Sequence, residues 1–211
     1  MLSGCTTARL WAEQDEGPYH RDEQPLRRDI VEDRDGVALQ LGIRLAHADG
    51  SPVYDTTVEI WQCDALGRYS GFPPPDDSTV VTAADAPRGE YLTDQTFLRG
   101  RQTTDADGMV EFGTIYPGWY PGRTVHIHLM VHDGDRTFTS QLYFPDEISD
   151  QVLSLSPYAD RPGRDTTNGT DEIFPTGGEP AILEVTAIDR GYRGAICLVL
   201  PDQGKAGSDV E

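Results

Sequence analysis

Apolar side chains alternate with other residues along several short stretches of the chain, and this period of two is typical of strands with one buried face. The longest stretch covers residues 37–45, where the alternating residues are Val37, Leu39, Leu41, Ile43 and Leu45. Further strands are predicted over residues 57–61, 110–112, 124–131, 137–144, 181–186 and 195–200. Because turn residues separate several of these short strands, the pattern predicts an all-β sandwich or barrel, and of the two we expect a single-domain β-sandwich.

The rest of the chain carries little regular pattern. One short helix is predicted over residues 146–156, with Asp146 as its N-cap and with Ile148, Val152 and Leu155 on one side. Segments 70–96 and 157–178 are predicted as long loops, which are usually functional or disordered. The predicted organisation is an N-terminal arm over residues 1–36, the sandwich over residues 37–202 and a polar C-terminal tail over residues 203–211.

Charge and cysteine content narrow the choice of partners. With 36 acidic and 17 basic side chains the formal charge is −19, which repels phosphate, so nucleic acid and anionic membrane surfaces are not expected as partners. No apolar run approaches the ~20 residues of a membrane helix, so no membrane span is expected. Three cysteines (Cys5, Cys63 and Cys197) are too few for a disulfide framework, and one pair with one cysteine left over stays open.

The first residues raise a question of location. Leu-Ser-Gly-Cys at residues 2–5 looks like the end of a bacterial lipoprotein signal. Neither a charged segment nor an apolar segment precedes it, so the chain as given is expected in the cytoplasm. An exported or lipid-anchored origin remains the alternative.

The densest group of reactive side chains lies in residues 116–128, where His126 and His128 stand two apart on a predicted strand. Residues at that spacing project from the same face, and two adjacent imidazoles suit zinc, copper, iron or nickel. Two histidines on a solvated strand face are the plain alternative. Copper or zinc bound by these histidines together with His132 is another, although His132 lies at a strand end beside a turn.

Tyrosines are the other unusual residues near this pair. Tyr116 and Tyr120 lie in a Pro-Gly-rich turn, and Tyr69 ends the stretch Asp-Ala-Leu-Gly-Arg-Tyr. A free phenol has a pKa near ~10, so only a strong Lewis acid keeps it ionised at neutral pH. Two histidines with two tyrosines would therefore select Fe(III) over zinc or Fe(II).

Two blocks of sequence resemble the intradiol ring-cleavage dioxygenases. The first is Val-Glu-Ile-Trp-Gln-Cys-Asp-Ala-Leu-Gly-Arg-Tyr at residues 58–69. The second runs from Phe-Leu-Arg-Gly at residues 97–100 through Thr-Asp-Ala-Asp-Gly at 104–108 and Thr-Ile-Tyr-Pro-Gly-Trp-Tyr at 114–120 to Arg-Thr-Val-His-Ile-His at 123–128. With the weaker segments 141–144 and 163–168, the resemblance covers roughly residues 14–175.

The resemblance implies a catalytic site. It implies Tyr69, Tyr120, His126 and His128 as ligands of Fe(III), with Tyr120 as the tyrosinate that leaves when substrate binds. It places Arg123 next to the substrate ring, Gln141 in the wall of the same pocket and Tyr19 at the pocket border. The implied reaction is cleavage of a catechol-type diol by O2 between its two hydroxylated carbons, giving a cis,cis-muconate-type product.

Two other classes of function remain open from the sequence. One is a metal-free β-sandwich binding module, and the other is a copper or zinc His-x-His enzyme. The helical dimerisation domain of the catechol 1,2-dioxygenase branch is not expected, because 211 residues leave no room for it. The chain looks more like the compact members of the family, and a monomer is expected.

Overall fold

Within residues 8–22, 24–73 and 91–201, the parts of the chain that the computed structural model describes, nine strands and one α-helix are present. The helix is α1 (Asp146–Leu153). The strands are β1 (Ala8–Leu10), β2 (Ala38–Ala46), β3 (Thr57–Trp61), β4 (Arg99–Thr103), β5 (Met109–Ile115), β6 (His126–Asp133), β7 (Arg136–Tyr143), β8 (Glu184–Ile188) and β9 (Gly191–Val199). Short 3-10 turns cover Tyr158–Asp160, Phe174–Thr176 and Glu179–Ala181.

The strands form two sheets that pack face to face. One sheet has the order β1-β9-β2-β5, with β8 also paired to β9, and the other has the order β4-β3-β6-β7. β2 runs parallel to β9 and antiparallel to β5. Every pairing in the four-stranded sheet is antiparallel. The expected all-β sandwich is confirmed.

The core lies between the sheets and follows from the alternation along each strand. Ile127, Leu129 and Val131 of β6 are fully buried and face the apolar residues of β2, such as Leu41 and Ile43. Burying an aliphatic side chain of this size stabilises the fold by roughly 1.5–3 kcal/mol. The intervening residues of β6 must therefore point to the outer face of the four-stranded sheet.

The N-terminal segment, residues 8–22 and 24–30, crosses that outer face and is named the strap. It begins with β1, which pairs in parallel with β9. Further along, Gln14 N–H donates to Thr139 O on β7 (3.0 Å), and Arg27 N–H donates to Arg101 O on β4 (3.1 Å). Ile30 N–H then reaches Gly113 O on β5 (3.0 Å). The residues between these anchors lie over β6 and β3. They therefore cover the side chains on the outer face of the four-stranded sheet.

Most predicted strands are confirmed, and their ends differ by a few residues. The strand predicted over 57–61 coincides with β3, but the one predicted over 181–186 begins at Glu184, because Pro180 lies in a 3-10 turn before it. β1 and β4 were not predicted. β4 contains no large apolar residue, and it is an edge strand, where such a sequence is tolerated. The predicted loop 157–178 contains two 3-10 turns, and residues 74–90 of the predicted loop 70–96 lie outside the described residues, as do residues 202–211.

The helix differs from its prediction at both ends. Asp146 is its first residue and not its N-cap, a position held by Pro145 without a side-chain hydrogen bond. The Asp146 carboxylate instead accepts hydrogen bonds from Arg164 Nη1 (2.9 Å) and from the Asn168 amide. The helix ends at Leu153, and Leu155 is exposed at 48%, so its predicted place on the buried side is wrong, whereas Val152 is buried.

Two further findings concern the cysteines and membranes. Cys197 is disulfide-bonded and Cys63 is a free, buried thiol, whereas Cys5 lies outside the described residues. No helix in the described part of the chain is long and apolar enough to cross a membrane.

Candidate metal centre

His126 and His128 lie side by side on the outer face of β6. In the sheet register His128 stands between Trp61 of β3 and Gln141 of β7, and His126 pairs with Tyr143. Both imidazoles are buried, at 2% and 0% exposure, because the N-terminal strap covers this face. The predicted His-x-His pair is thus on one face as expected, but that face is enclosed by protein and is not solvated.

Tight turns deliver two tyrosines to the same place. Tyr69 follows the end of β3, where Asp64 Oδ1 accepts hydrogen bonds from the amides of Leu66 (2.9 Å) and Arg68 (3.0 Å). Gly67 in this turn has a φ of +80°, and a Cβ there would lie 2.3 Å from Trp119 O, so glycine is required. That close approach brings the turn carrying Tyr69 against the turn carrying Tyr120.

Four donor atoms converge in the buried space between these elements. The Nε2 atoms of His126 and His128 lie 3.1 Å apart. The Tyr120 hydroxyl lies 3.1 Å from His126 Nε2, and the Tyr69 hydroxyl lies 3.2 Å from His128 Nε2. The structure therefore brings together all four residues that the sequence resemblance implies as metal ligands.

Burial sets the protonation of these groups in the protein alone. It lowers the pKa of His126 to about 3, with the Arg123 cation as a further cause, and lowers the pKa of His128 well below its ordinary value. Burial likewise raises the pKa of Tyr69 well above its ordinary value, and it raises the pKa of Tyr120. At neutral pH the site thus presents two neutral imidazoles and two phenols.

The donor set fits a ferric ion. His126 Nδ1–H donates to Thr124 O (2.6 Å), which leaves the Nε2 lone pair directed into the site. His128 Nδ1 is buried with no hydrogen-bond partner in the described part of the chain. Separations of about 3 Å between donors are those of ligands sharing one metal ion at about 2.0–2.1 Å. Only a highly charged ion would ionise phenols whose pKa values burial raises.

His132 does not belong to this centre. Its imidazole is half-exposed near the end of β6, and its Nε2 lies 3.3 Å from Glu59 Oε1. Among residues 8–22, 24–73 and 91–201, no group of three or more His, Cys, Asp and Glu side chains is arranged to hold a metal ion. The three-histidine copper or zinc site considered from the sequence is therefore wrong.

Arg123 and Gln141 lie beside the histidines as one hydrogen-bonded unit. Arg123 donates from Nη2 to Gln141 Oε1, and the Gln141 side-chain amide donates to Asp15 O in the strap (2.9 Å). Arg123 also donates from Nε to Asp171 Oδ2 (2.9 Å). The Arg123 guanidinium is thus fixed in orientation from two sides while it remains close to His126.

Asp171 is a site residue that sequence reasoning missed. Its side chain is fully buried and accepts hydrogen bonds from Arg123, from the Thr124 amide (2.7 Å) and from the amides of Ile173 (2.8 Å) and Phe174 (2.9 Å). Burial by itself would raise the pKa of this carboxyl, but the Arg123 cation and the N–H donors bring it below its ordinary value. The polar run Thr-Thr-Asn-Gly-Thr-Asp gave no sign of burial, since such runs are typical of surface loops.

Tyr19 and Gly17 place the strap directly on the ligands. The Tyr19 ring stacks on the Tyr69 ring with centroids 4.2 Å apart and stands edge-on to the Tyr120 ring at 5.8 Å. Gly17 has a φ of +72°, and a Cβ there would lie 3.0 Å from His128 Cε1. Tyr116, in contrast, packs away from the centre, where its hydroxyl forms a hydrogen bond with Ser149 (2.9 Å).

Fold and site together define a β-sandwich protein with a buried two-histidine, two-tyrosine centre under an N-terminal strap. The family model described as "Dioxygenase" matches residues 12–161, more than half of the chain. A solved intradiol ring-cleavage dioxygenase from Tetranychus urticae is 34% identical, with a TM-score of 0.80 over 90% of this chain and 93% of that one. The chain belongs to the intradiol ring-cleavage dioxygenase family.

Curated relatives agree with this placement. The protocatechuate 3,4-dioxygenase beta chain of Burkholderia cepacia is 33% identical over 163 residues, which cover 71% of this chain and 61% of the relative. A chlorocatechol 1,2-dioxygenase of Cupriavidus pinatubonensis is 30% identical over 151 residues, which cover 61% of this chain and 52% of the relative. The chain thus spans between half and two thirds of the length of these two relatives.

Proposed function

We propose that the protein is a non-haem Fe(III) intradiol dioxygenase that cleaves catechol-type diols with O2 between the two hydroxylated carbons, giving cis,cis-muconate-type products. The observation that carries this proposal is the buried convergence of Tyr69 and Tyr120 hydroxyls with the Nε2 atoms of His126 and His128, at 3.1–3.2 Å. Family membership supports the reaction class, and the donor set supports the metal.

The four converging residues would hold the iron. When bound there, ferric iron would supply the Lewis acidity that keeps a chelated catechol doubly deprotonated and its ring reactive toward O2. His126 and His128 would bind through Nε2 as neutral ligands, and Tyr69 would bind as a phenolate that remains in place. Tyr120 would bind as a second phenolate, and its Oη would be the base that takes up one proton from an incoming catechol hydroxyl.

Arg123 would act on the substrate through its charge. A guanidinium cation with planar donors stabilises negative charge on an adjacent ring or oxygen, and it does so best where water is excluded. Arg123 is 8% exposed and fixed by Asp171 and Gln141. The Gln141 amide is occupied on both sides, so we assign it the orientation of Arg123 and a place in the pocket wall.

The strap would complete the pocket. Tyr19 lies against both tyrosine ligands and would border the ring of the substrate. The strap backbone at Asp15 and Gly17 contacts Gln141 and approaches His128, so it keeps bulk water off the ligands. Low water content strengthens each electrostatic interaction inside the site.

The other two classes considered from the sequence have less support. A metal-free binding module leaves unexplained why two imidazole lone pairs and two phenols point at one another in a buried space. A copper or zinc His-x-His enzyme does not explain why the hydroxyls of two tyrosines lie beside the histidine Nε2 atoms.

A substrate panel tests the proposal. Relatives are named for protocatechuate and chlorocatechol, so the panel compares catechol, hydroxyquinol, protocatechuate and a chlorocatechol with the iron-loaded protein. We expect O2 uptake with at least one diol and a product with the absorbance of a muconate. A semialdehyde product, or no O2 uptake with any of the four, would contradict the proposal. The predicted monomer is tested separately by light scattering of the same sample.

A further inference from the structure

Arg99, in the Phe-Leu-Arg-Gly motif, is a fully buried cation next to the candidate metal centre. It is the first residue of β4, stands opposite Trp61 in the sheet register and is 0% exposed. Arginine is almost never fully buried unless it is paired. Within the described parts of the chain, no carboxylate lies at ion-pair distance from its guanidinium.

Neutral acceptors from two separate segments surround this guanidinium. Nη1 donates to Tyr19 O in the strap (2.7 Å). Nε donates to Ser70 Oγ (2.7 Å), and Nη2 donates to Ser70 O (3.0 Å). Since Ser70 directly follows Tyr69, one planar group fixes the backbone of the strap and of the Tyr69 turn relative to β4.

The aromatic contacts show what this arrangement holds in place. The stacked rings of Tyr19 and Tyr69 are nearly parallel, with an interplanar angle of 14°. The guanidinium carbon of Arg99 lies 6.0 Å from the centre of the Tyr69 ring and 5.4 Å from that of Phe72. A cation on this side of Tyr69 favours negative charge on that ring.

We infer that Arg99 is a positioning residue of the iron site, which holds Tyr69 against Tyr19 in the orientation that binds iron. The inference rests on the proposed function, because it gives Tyr69 the role of a ligand. Arg99 itself does not reach the ligand atoms. Its contribution is the placement of the Tyr69 ring through Ser70 and Tyr19, together with a charge opposite to that of a phenolate.

Arg27 offers a matched control. Its side chain also links the strap to β4 by hydrogen bonds, but it does so at a distance from the candidate metal ligands. Arg27 donates to the backbone oxygens of Arg99 (2.8 and 3.0 Å) and Thr96 (2.6 Å) and pairs with Glu32 (2.7 Å). Arg27→Met therefore removes side-chain-to-backbone bonds of the same kind as Arg99→Met. The comparison separates attachment of the strap from placement of the ligand.

The experiment measures Fe(III) binding by competition with citrate and the near-UV circular dichroism of the metal-free proteins. Removing groups that orient metal ligands typically costs about 10- to 100-fold in metal affinity. For Arg99→Met we expect a loss in that range and a changed tyrosine dichroism, while Arg27→Met matches wild type in both. Arg99→Lys, which keeps the charge but not the planar set of bonds, should recover only part of the affinity.

Wild-type ferric affinity and wild-type dichroism in folded Arg99→Met would overturn the inference. If Arg99→Met does not fold, Arg99→Lys decides: wild-type values in both measurements overturn the inference, and reduced affinity with altered dichroism supports it. Failure of the proposed function is distinguishable, because wild type itself would then bind no ferric ion. In that case the dichroism of the metal-free variants still reports whether Arg99 holds the Tyr19–Tyr69 pair.

Discussion

Replacing Asp171 by asparagine should remove the ion pair that orients Arg123 and should destabilise the protein. The new side chain could retain one carbonyl oxygen for the amides of Ile173 and Phe174, but its NH2 group would face two donors, Arg123 Nε–H and the Thr124 amide. The ion pair is buried, with side chains 10% and 0% exposed. Removing one partner of a buried pair leaves the other charge uncompensated, which costs about 3–5 kcal/mol.

Urea unfolding of the metal-free protein measures this cost. Asp165→Asn is the control, because Asp165 is exposed on the same segment and accepts hydrogen bonds from the Thr166 hydroxyl (2.8 Å) and the Gly122 amide (3.3 Å), both of which an asparagine oxygen can also accept. Its change should stay within about 0.5 kcal/mol. In the iron-loaded protein, Asp171→Asn should also lower kcat on the order of tenfold to a hundredfold, as expected when a charged group is misplaced. Equal stability and equal kcat for the two variants would refute the assignment of Asp171 as the anchor of Arg123.

Three other predictions follow from the geometry of the centre. Gly17→Ala should weaken ferric binding by about tenfold, because a Cβ would press on the His128 ring at 3.0 Å and the backbone has a φ of +72°; unchanged affinity by citrate competition would show that the strap does not touch the ligand. The metal-free protein should lose stability as pH falls from about 6.5 towards 5, since the unfolded chain binds protons at His126 and His128 while the folded chain does not until about pH 3 at His126. The free energy of unfolding should fall by about 1 kcal/mol per pH unit for each histidine, so His126→Gln should remove the contribution of one histidine. A urea midpoint that stays constant over this pH range would contradict the burial argument. The Cys63 thiol, whose pKa burial raises, should resist a thiol reagent in the native protein and react on unfolding; fast native labelling mapped to Cys63 by mass spectrometry would be inconsistent with its burial.

The strands of the sandwich core could be predicted because each carries a physical period. Leu39, Leu41, Ile43 and Leu45 alternate since one face of β2 is buried and the other is not. β4 carries no such signal, because its residues are polar or glycine and its contacts are made at a sheet edge. Arg99 in that strand is buried by the strap, an interaction between segments far apart in sequence.

The candidate site was predictable in part for a similar reason. The spacing of His126 and His128 places both rings on one strand face, and burial of Ile127 between them fixes which face that is. The selection of Tyr69 and Tyr120 required the family resemblance, since nothing in their local pattern separates them from Tyr116.

The groups that hold the site in place had no sequence signal of their own. Asp171 and Gly17 lie in polar segments whose composition is that of ordinary loops. They come to lie beside the site only in the folded chain, where the strap and residues 163–174 pack next to β6. The buried Asp171 carboxylate is stabilised by hydrogen bonds from four N–H donors. No local sequence pattern predicts that these four donors lie around it.

The visible spectrum of the iron-loaded protein tests the central claim most directly, namely that Tyr69 and Tyr120 bind Fe(III) together with His126 and His128. We predict a red-brown tyrosinate-to-iron charge-transfer band that Tyr120→Phe alters. Tyr116→Phe is the matched control, because Tyr116 is a buried tyrosine of the same turn whose hydroxyl bonds Ser149, and it should leave the band unchanged. A colourless protein with stoichiometric iron, or equal spectral changes in the two variants, would contradict the account.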